Sequence, residues 1–196
     1  MGYIIKSEKT AIVTGVSKST EYILNNIDNS KVKILDYGAG KLRNAKCLKE
    51  KGYNISVLDT AIQVDSWKSE DKKLFNIYKA HEVDIIKDKF DIITCSYVLN
   101  VISDIKERES VLLNIKNLLN QNGLLLIDVR GTNSLSGTKS KEPFNDGYIV
   151  GKGSIRTFQK EYSKQEIISL LESFGFEIIN IKKNNTNFNV VCKMSN

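Results

Sequence analysis

The sequence predicts an α/β fold, a mostly parallel sheet covered by helices on both faces and finished by an antiparallel hairpin. Three observations predict it. Short apolar runs alternate with segments of helical periodicity, the order that builds an open parallel sheet with crossovers. One run, 124–129 (LLLIDV), is apolar on both faces, as a central parallel strand must be. The chain then closes on a helix and two strands joined by a turn-rich stretch, where a dinucleotide-binding fold would add another crossover.

Each element follows from local pattern. Residues 32–36 (VKILD) form a short strand that breaks at Gly38 and Gly40; 43–51 follow as a helix with Ala45, Leu48 and Cys47 inward, stopped by Gly52. Strands are expected at 54–58 (NISVL), more weakly at 74–80, and at 90–96 (FDIITCS). Val111, Leu112, Ile115, Leu118 and Leu119 recur at helical spacing over 107–119, and Asn122-Gly123 reads as the turn into 124–129. Ser163 with Glu166 three residues on is a capping box for a helix over 164–174, stopped by Gly175. Residues 176–182 and 188–193 are the closing hairpin, with 183–187 as its turn. Seven strands result. Two segments fall outside this core: 1–31, with a modest helix at 19–27, and the Gly/Ser/Thr/Lys-rich stretch 131–157, expected to be a lid or insertion loop.

Bulk composition narrows the class. At 196 residues the chain is expected to be one domain, 1–196, with an ordinary apolar content of 41% and 27% charged residues. No apolar run reaches the roughly 18 residues of a membrane span, and the first five residues lack signal-peptide order, so a cytoplasmic location is expected. The net charge of +6 permits an anionic partner such as nucleic acid, but the lysines are scattered and read as a solvated surface. Cys47, Cys95 and Cys192 read as buried free thiols; with one histidine, His81, and no paired cysteines, no metal site is expected.

The chemistry concentrates at Asp36-Tyr37-Gly38-Ala39-Gly40, where a strand ends and a helix begins. Glycines let the backbone turn sharply and approach a ligand closely. Asp59 ends the next strand, 19 residues after Gly40, where an acid accepts the hydroxyls of a ribose. Asp36 stands ahead of the glycines and would repel a pyrophosphate; it suits the ammonium of an amino-acid moiety. That combination favours an aminoacyl nucleoside over a dinucleotide and disfavours a nicotinamide oxidoreductase.

On these residues the chain resembles the class I S-adenosylmethionine-dependent methyltransferases. ILDYGAG is similar to their first motif, VLDT to their ribose motif, FDIITCSYVLNVI to their fourth-strand region and GLLLIDVRG to their fifth strand. The likeness covers about residues 32–130 and 160–193, and implies a Rossmann-like fold with S-adenosyl-L-methionine as cofactor. It implies that Asp36, Gly38, Ala39 and Gly40 hold the methionine part, Asp59 the ribose, and Thr60 with the third-strand loop the adenine. Position 42, a third glycine in many members, is Leu42, expected to put more side chain beside the cofactor. The alternative is therefore a weak or inactive cofactor-binding module serving DNA modification or phage defence. KTAI, DYGAG, SYVLNVI with the following Arg108 helix, and RTFQKEYSKQEI also resemble the methyltransferases associated with DNA phosphorothioation.

Methyl transfer from a sulfonium needs alignment more than acid–base groups, because the thioether leaves neutral. Ser96 is expected at the cofactor, Tyr97 and Asn100 at the methyl-transfer site, and Arg130, Gln159 and Tyr162 at the acceptor. The acceptor is a small molecule, a protein or RNA. Exocyclic amines of DNA bases are disfavoured, since Cys95-Ser96-Tyr97-Val98 lacks the prolines of that chemistry. Base C5 methylation is disfavoured too: Cys95 lies in an apolar strand with no cation to lower its pKa.

Overall fold

Strand side chains alternate between two cores, one on each side of a seven-stranded sheet. Ile34, Ile55, Val57, Ile92, Leu126 and Val191 face one way, and Leu35, Leu58, Ile93, Leu125, Ile127 and Val190 the other. The computed structural model describes residues 3–10, 15–29 and 31–195. Its elements in order are β1 (Ile4–Ile5), a 3-10 turn (Ser7–Thr10), α1 (Lys18–Asn26), β2 (Lys33–Tyr37), α2 (Arg43–Glu50), β3 (Asn54–Asp59), α3 (Ala61–Ser66), α4 (Ser69–Lys72) and β4 (Asn76–Lys79). A second 3-10 turn (Ala80–Ile85), β5 (Phe90–Ser96), α5 (Ile105–Leu118) and β6 (Leu119–Val129) follow. The chain ends with β7 (Lys141–Phe144), β8 (Gly147–Val150), β9 (Ile155–Gln159), α6 (Lys164–Ser173), β10 (Phe176–Asn184) and β11 (Asn187–Met194).

The large sheet runs β10-β11-β6-β5-β2-β3-β4. Its five central and outer strands pair in parallel, while β11 is antiparallel to both β6 and β10. Val111, Leu112 and Ile115 of α5 with Ile167 and Leu171 of α6 pack one face; Ile23 of α1, Ala45 and Leu48 of α2 and Val64 of α3 pack the other. Side chains this size contribute about 1.5–3 kcal/mol each when fully buried. The expected capping box starts α6: Glu166 N donates to Ser163 Oγ and Ser163 N to Glu166 Oε2. Cys95 and Cys192 are buried thiols, and burial pushes Cys192 up to about 12. Cys47, on α2, is only half-buried. Among the described residues no helix is long and apolar enough to cross a membrane.

Three expectations are corrected. Asn122-Gly123 is no turn: the strand begins at Leu119, and a register irregularity opposite Phe90 and Ile92 absorbs the extra residues. The N-terminal segment does not lie outside the core, because Ile23 is fully buried in it. Residues 131–157 are not a structureless loop. They supply β7, β8 and most of β9, which with β1 form a second sheet of order β1-β9-β8-β7, so the chain's beginning is paired in parallel with a strand some 150 residues on.

An ion cluster fastens that second sheet to the first. Asp146, in the β7–β8 turn, pairs with Arg108 of α5 and with Lys160 Nζ at 3.2 Å; Lys160 also pairs with Glu166 of α6 at 2.6 Å. Arg108 and Lys160 are almost wholly enclosed. Cations so buried are tolerable only when paired.

Candidate active site

Sheet order fixes where a ligand can enter. From β2 the chain moves outward through β3 and β4, then returns to the other side of β2 to build β5 and β6. The crevice beyond the strand ends at such a reversal is where open α/β sheets bind ligands. A cavity of about 650 Å³ lies there, within the roughly 300–1,000 Å³ of small-molecule sites.

Its floor is the turn after β2. Gly38 and Gly40 adopt φ of +78° and +56°. At Gly38 a side chain is also excluded by space, since a Cβ would sit 2.3 Å from Val98 Cγ2. The turn is held from three sides: Gly38 N and Ala39 N donate to Leu58 O, Gly40 N donates to Asp59 Oδ2 at 2.6 Å, and Trp67 Nε1 donates to Gly40 O at 2.7 Å. Leu42 takes a left-handed φ of +63°, which costs a non-glycine residue roughly 1–2 kcal/mol. Its side chain is 1% exposed in the core beside Ala45 and Leu48 and does not line the cavity. The expectation that it crowds a ligand is corrected, and with it one motive for an inactive module.

The two expected acids sit differently. Asp59 lines the cavity; its Oδ1 accepts from Thr60 N at 2.7 Å, so each oxygen has one backbone partner and a further lone pair to offer. Burial raises its pKa, against the opposing Gly40 and Thr60 N–H groups. Asp36 lies beneath the glycine turn, fully buried and outside the cavity lining. Its register partner Thr94 donates to Oδ1 at 2.8 Å, while Oδ2 has no partner among the described residues. Burial, reinforced by Asp59, lifts its pKa to about 6.

The same face of the sheet continues as a polar row. Ser96, Asp128 and Asn189 are register neighbours. Ser96 Oγ lies 2.8 Å from Asp128 Oδ2 and 3.0 Å from Ser17 Oγ, and Ser19 N and Asn189 Nδ2 donate to the same carboxylate. Asp128 thereby holds the first turn of α1, where a negative charge is favoured by the helix dipole, over the strand ends. Ser96 lines the cavity and belongs to this network. Tyr97, next along, also lines the cavity at φ +63°, a strained conformation of the kind that clusters at functional sites. Its hydroxyl accepts from Asn187 Nδ2 at 3.4 Å, and burial raises its pKa.

Thr60, Arg130 and Gln159 line the cavity too, with Arg130 Nε donating to Gln159 Oε1 at 2.9 Å. Asn100 and Tyr162 do not. Asn100 is fully buried, taking Arg130 N on Oδ1 and donating from Nδ2 to Lys160 O. Tyr162 is 1% exposed in the core and donates its hydroxyl proton to Leu99 O. Both are corrected: they brace the segment that carries Gln159, because the chain leaving β9 crosses directly beneath the exit of β5. Sequence reasoning missed Asn184, Asn185 and Asn187, which bring the β10–β11 tip to the cavity; the asparagine run signalled only a turn. It also missed Ala80, after β4, and Trp67, the chain's single tryptophan.

A family model described as a methyltransferase domain matches residues 14–181. The chain matches no curated protein. Among solved structures it is similar to an S-adenosylmethionine-dependent methyltransferase from Clostridium acetobutylicum, at 16% identity over 91% of this chain and 92% of that one, TM-score 0.70. The PH0226 protein of Pyrococcus horikoshii gives 15%, 91% and 89%, with a TM-score of 0.75. A Burkholderia thailandensis 1,6-didemethyltoxoflavin-N1-methyltransferase, solved with bound 1,6-didemethyltoxoflavin and S-adenosylhomocysteine, gives 15%, 91% and 77%, with a TM-score of 0.67. At such identities the likeness is one of fold.

Proposed function

Because the chain belongs to the methyltransferase domain family, we propose that it transfers a methyl group from S-adenosylmethionine to a nucleophilic acceptor. The observation that carries this is Asp59, whose carboxylate is bonded to the glycine turn at one end of a cavity that extends to Tyr97. Two features fit the cofactor: spare lone pairs on Asp59 and a cavity of nucleoside size. Structural neighbours solved with S-adenosylhomocysteine or sinefungin bound support the same reading.

In this reading Asp59 receives the ribose hydroxyls, Thr60 and Ala80 flank the adenine, and Asp36 with the turn at Gly38, Ala39 and Gly40 serves the methionine part. Ser96 keeps α1 closed over it. When bound, the cofactor supplies an activated methyl group: the acceptor's lone pair makes the new bond as the carbon–sulfur pair returns to sulfur. The chain's residues position and shield. Among the described residues the cavity is lined by no histidine or cysteine, and Tyr97, with its raised pKa, is no base at neutral pH. The lining does include the carboxylates of Glu8 and Glu107, so an acceptor proton leaves to one of these or to solvent. Kinship with the phosphorothioation-associated methyltransferases belongs to the same proposal, on sequence motifs, and supplies no acceptor.

Incubation with S-adenosylmethionine tritiated on the methyl group and a cell extract tests it. Label transferred to any metabolite or macromolecule is the expected result; no transfer above a protein-free control contradicts it.

A further inference from the structure

The guanidinium of Arg130 has no ion-pair partner among the described residues. Its backbone N donates to Asn100 Oδ1 at 3.1 Å and its Nε to Gln159 Oε1 at 2.9 Å. The two Nη groups make no hydrogen bond or ion pair with any described residue, although Arg130 lines the cavity. Gln159, 5% exposed at the end of β9, is itself held in place by the Asn100 brace one residue on. A guanidinium anchored through Nε presents its remaining donors as a fork, the geometry that takes carboxylate or phosphate in two parallel hydrogen bonds.

A second orphan lies in the same cavity. Asn187 Oδ1 is buried without a partner among the described residues, while Nδ2 reaches Tyr97 Oη. Whichever way the amide is turned, one end lacks a protein partner. Leaving a buried polar group unpaired costs about 1–3 kcal/mol. Position separates both groups from the cofactor end. Asp59 ends β3 with Thr60 beside it, and at the glycine turn Arg43 gives Nη1 to Gly15 O while Lys41 also lines the cavity. Arg130 and Asn187 lie beyond Tyr97, at the ends of β6 and β11.

We propose that the methyl acceptor is a small molecule bearing a carboxylate or phosphate that Arg130 receives, together with a polar N–H or O–H group that meets Asn187. This rests on the transferase reading above. A cavity of about 650 Å³ shared with a nucleoside-sized cofactor suits a compact acceptor.

The test compares wild type with Arg130→Gln and Arg130→Lys, using tritiated cofactor and the low-molecular-weight fraction of an extract. Calorimetric titration of S-adenosylmethionine into each variant is run alongside and reports folding. Expected are cofactor affinities within about twofold of wild type, and transfer reduced at least tenfold in Arg130→Gln, equivalent to about 1.4 kcal/mol. Arg130→Lys falls between, and the wild-type product is retained by an anion exchanger. Phosphatase treatment of the extract distinguishes the two anions, abolishing a phosphate acceptor and sparing a carboxylate. The proposal is overturned by undiminished transfer in Arg130→Gln, by a product that passes the exchanger, or by label found only on macromolecules. It is overturned equally if Arg130→Gln weakens cofactor binding tenfold, since the guanidinium would then serve the cofactor's carboxylate. No transfer by wild type removes the transferase reading itself.

Discussion

Asp36 keeps a buried carboxylate half-satisfied, and that has a measurable signature. With its pKa raised to about 6, the folded protein holds this proton more tightly than the unfolded chain does. Stability from this group is therefore present below the ordinary carboxylate range and is lost as pH rises through about 6. The shift corresponds to something on the order of 3 kcal/mol. Urea denaturation at pH 4 and pH 7 is expected to move the stability difference between Asp36→Asn and wild type in favour of the asparagine by up to that amount; parallel pH profiles would contradict it. Gly38→Ala meets both a positive φ and Val98, and is expected to lower the melting temperature and cofactor affinity together. At this scale the sequence was most informative where function depends on chain order. The glycines and Asp59 were legible as cavity residues because a tight turn and a neighbouring strand tip fix their places locally, whereas Asp36 lies beneath the turn, off the cavity lining. Asn100 and Tyr162 were not, because whether a side chain past a strand end faces a cavity or the interior depends on what crosses beneath it. Leu42 was misjudged for the same reason.

Among the elements, the second sheet depends most on long-range interactions. Its strands are only two to five residues long, and β1 finds its partner β9 across most of the chain, so neither periodicity nor composition announced it. What fixes it to the core is the Arg108–Asp146–Lys160–Glu166 cluster. Asp146→Ala strands Arg108 without its carboxylate, and is expected to cost about 2–3 kcal/mol, below the range for a fully buried pair because Asp146 is a third exposed. Its pKa is lowered by Arg108 and Lys160 against the effect of burial. The lock thus holds above the ordinary carboxylate range and fails as pH falls through the lowered value. Limited proteolysis is the check: cleavage of Asp146→Ala within 131–157 at neutral pH, with wild type intact, is expected. Equal resistance would mean that the strand ladders alone hold the sheet. By contrast α6 was legible to its first residue, since a capping box is written in four consecutive positions.

Over the whole molecule, the sheet order turns a local motif into a site. The reversal at β2 leaves a crevice; the glycine turn and Asp59 form one end, and Tyr97, Arg130 and the asparagine tip of the closing hairpin form the other. The parallel strands, α2, α5, α6 and the final hairpin could be read in advance, because alternation, caps and breakers repeat along the chain, whereas α3 and α4, of six and four residues, are too short to show a helical period. At the cavity's far end Tyr97, Arg130 and Gln159 could also be named in advance, but the asparagine tip could not, because only the folded sheet brings β11 beside the exits of β5, β6 and β9. The central claim is that this crevice grips an aminoacyl nucleoside through Asp59. Calorimetric titration of S-adenosylmethionine into wild type, Asp59→Ala and Tyr97→Phe tests it most directly, with NAD as the competing ligand. Saturable one-to-one binding by wild type is expected, with Asp59→Ala at least tenfold weaker because it loses hydrogen bonds to a charged group worth about 1.5–3 kcal/mol each. Tyr97→Phe should stay within about threefold, the size of one weak neutral hydrogen bond, and NAD should give no heat. No heat with S-adenosylmethionine at millimolar concentration, tighter binding of NAD, or a greater loss in Tyr97→Phe than in Asp59→Ala would contradict it.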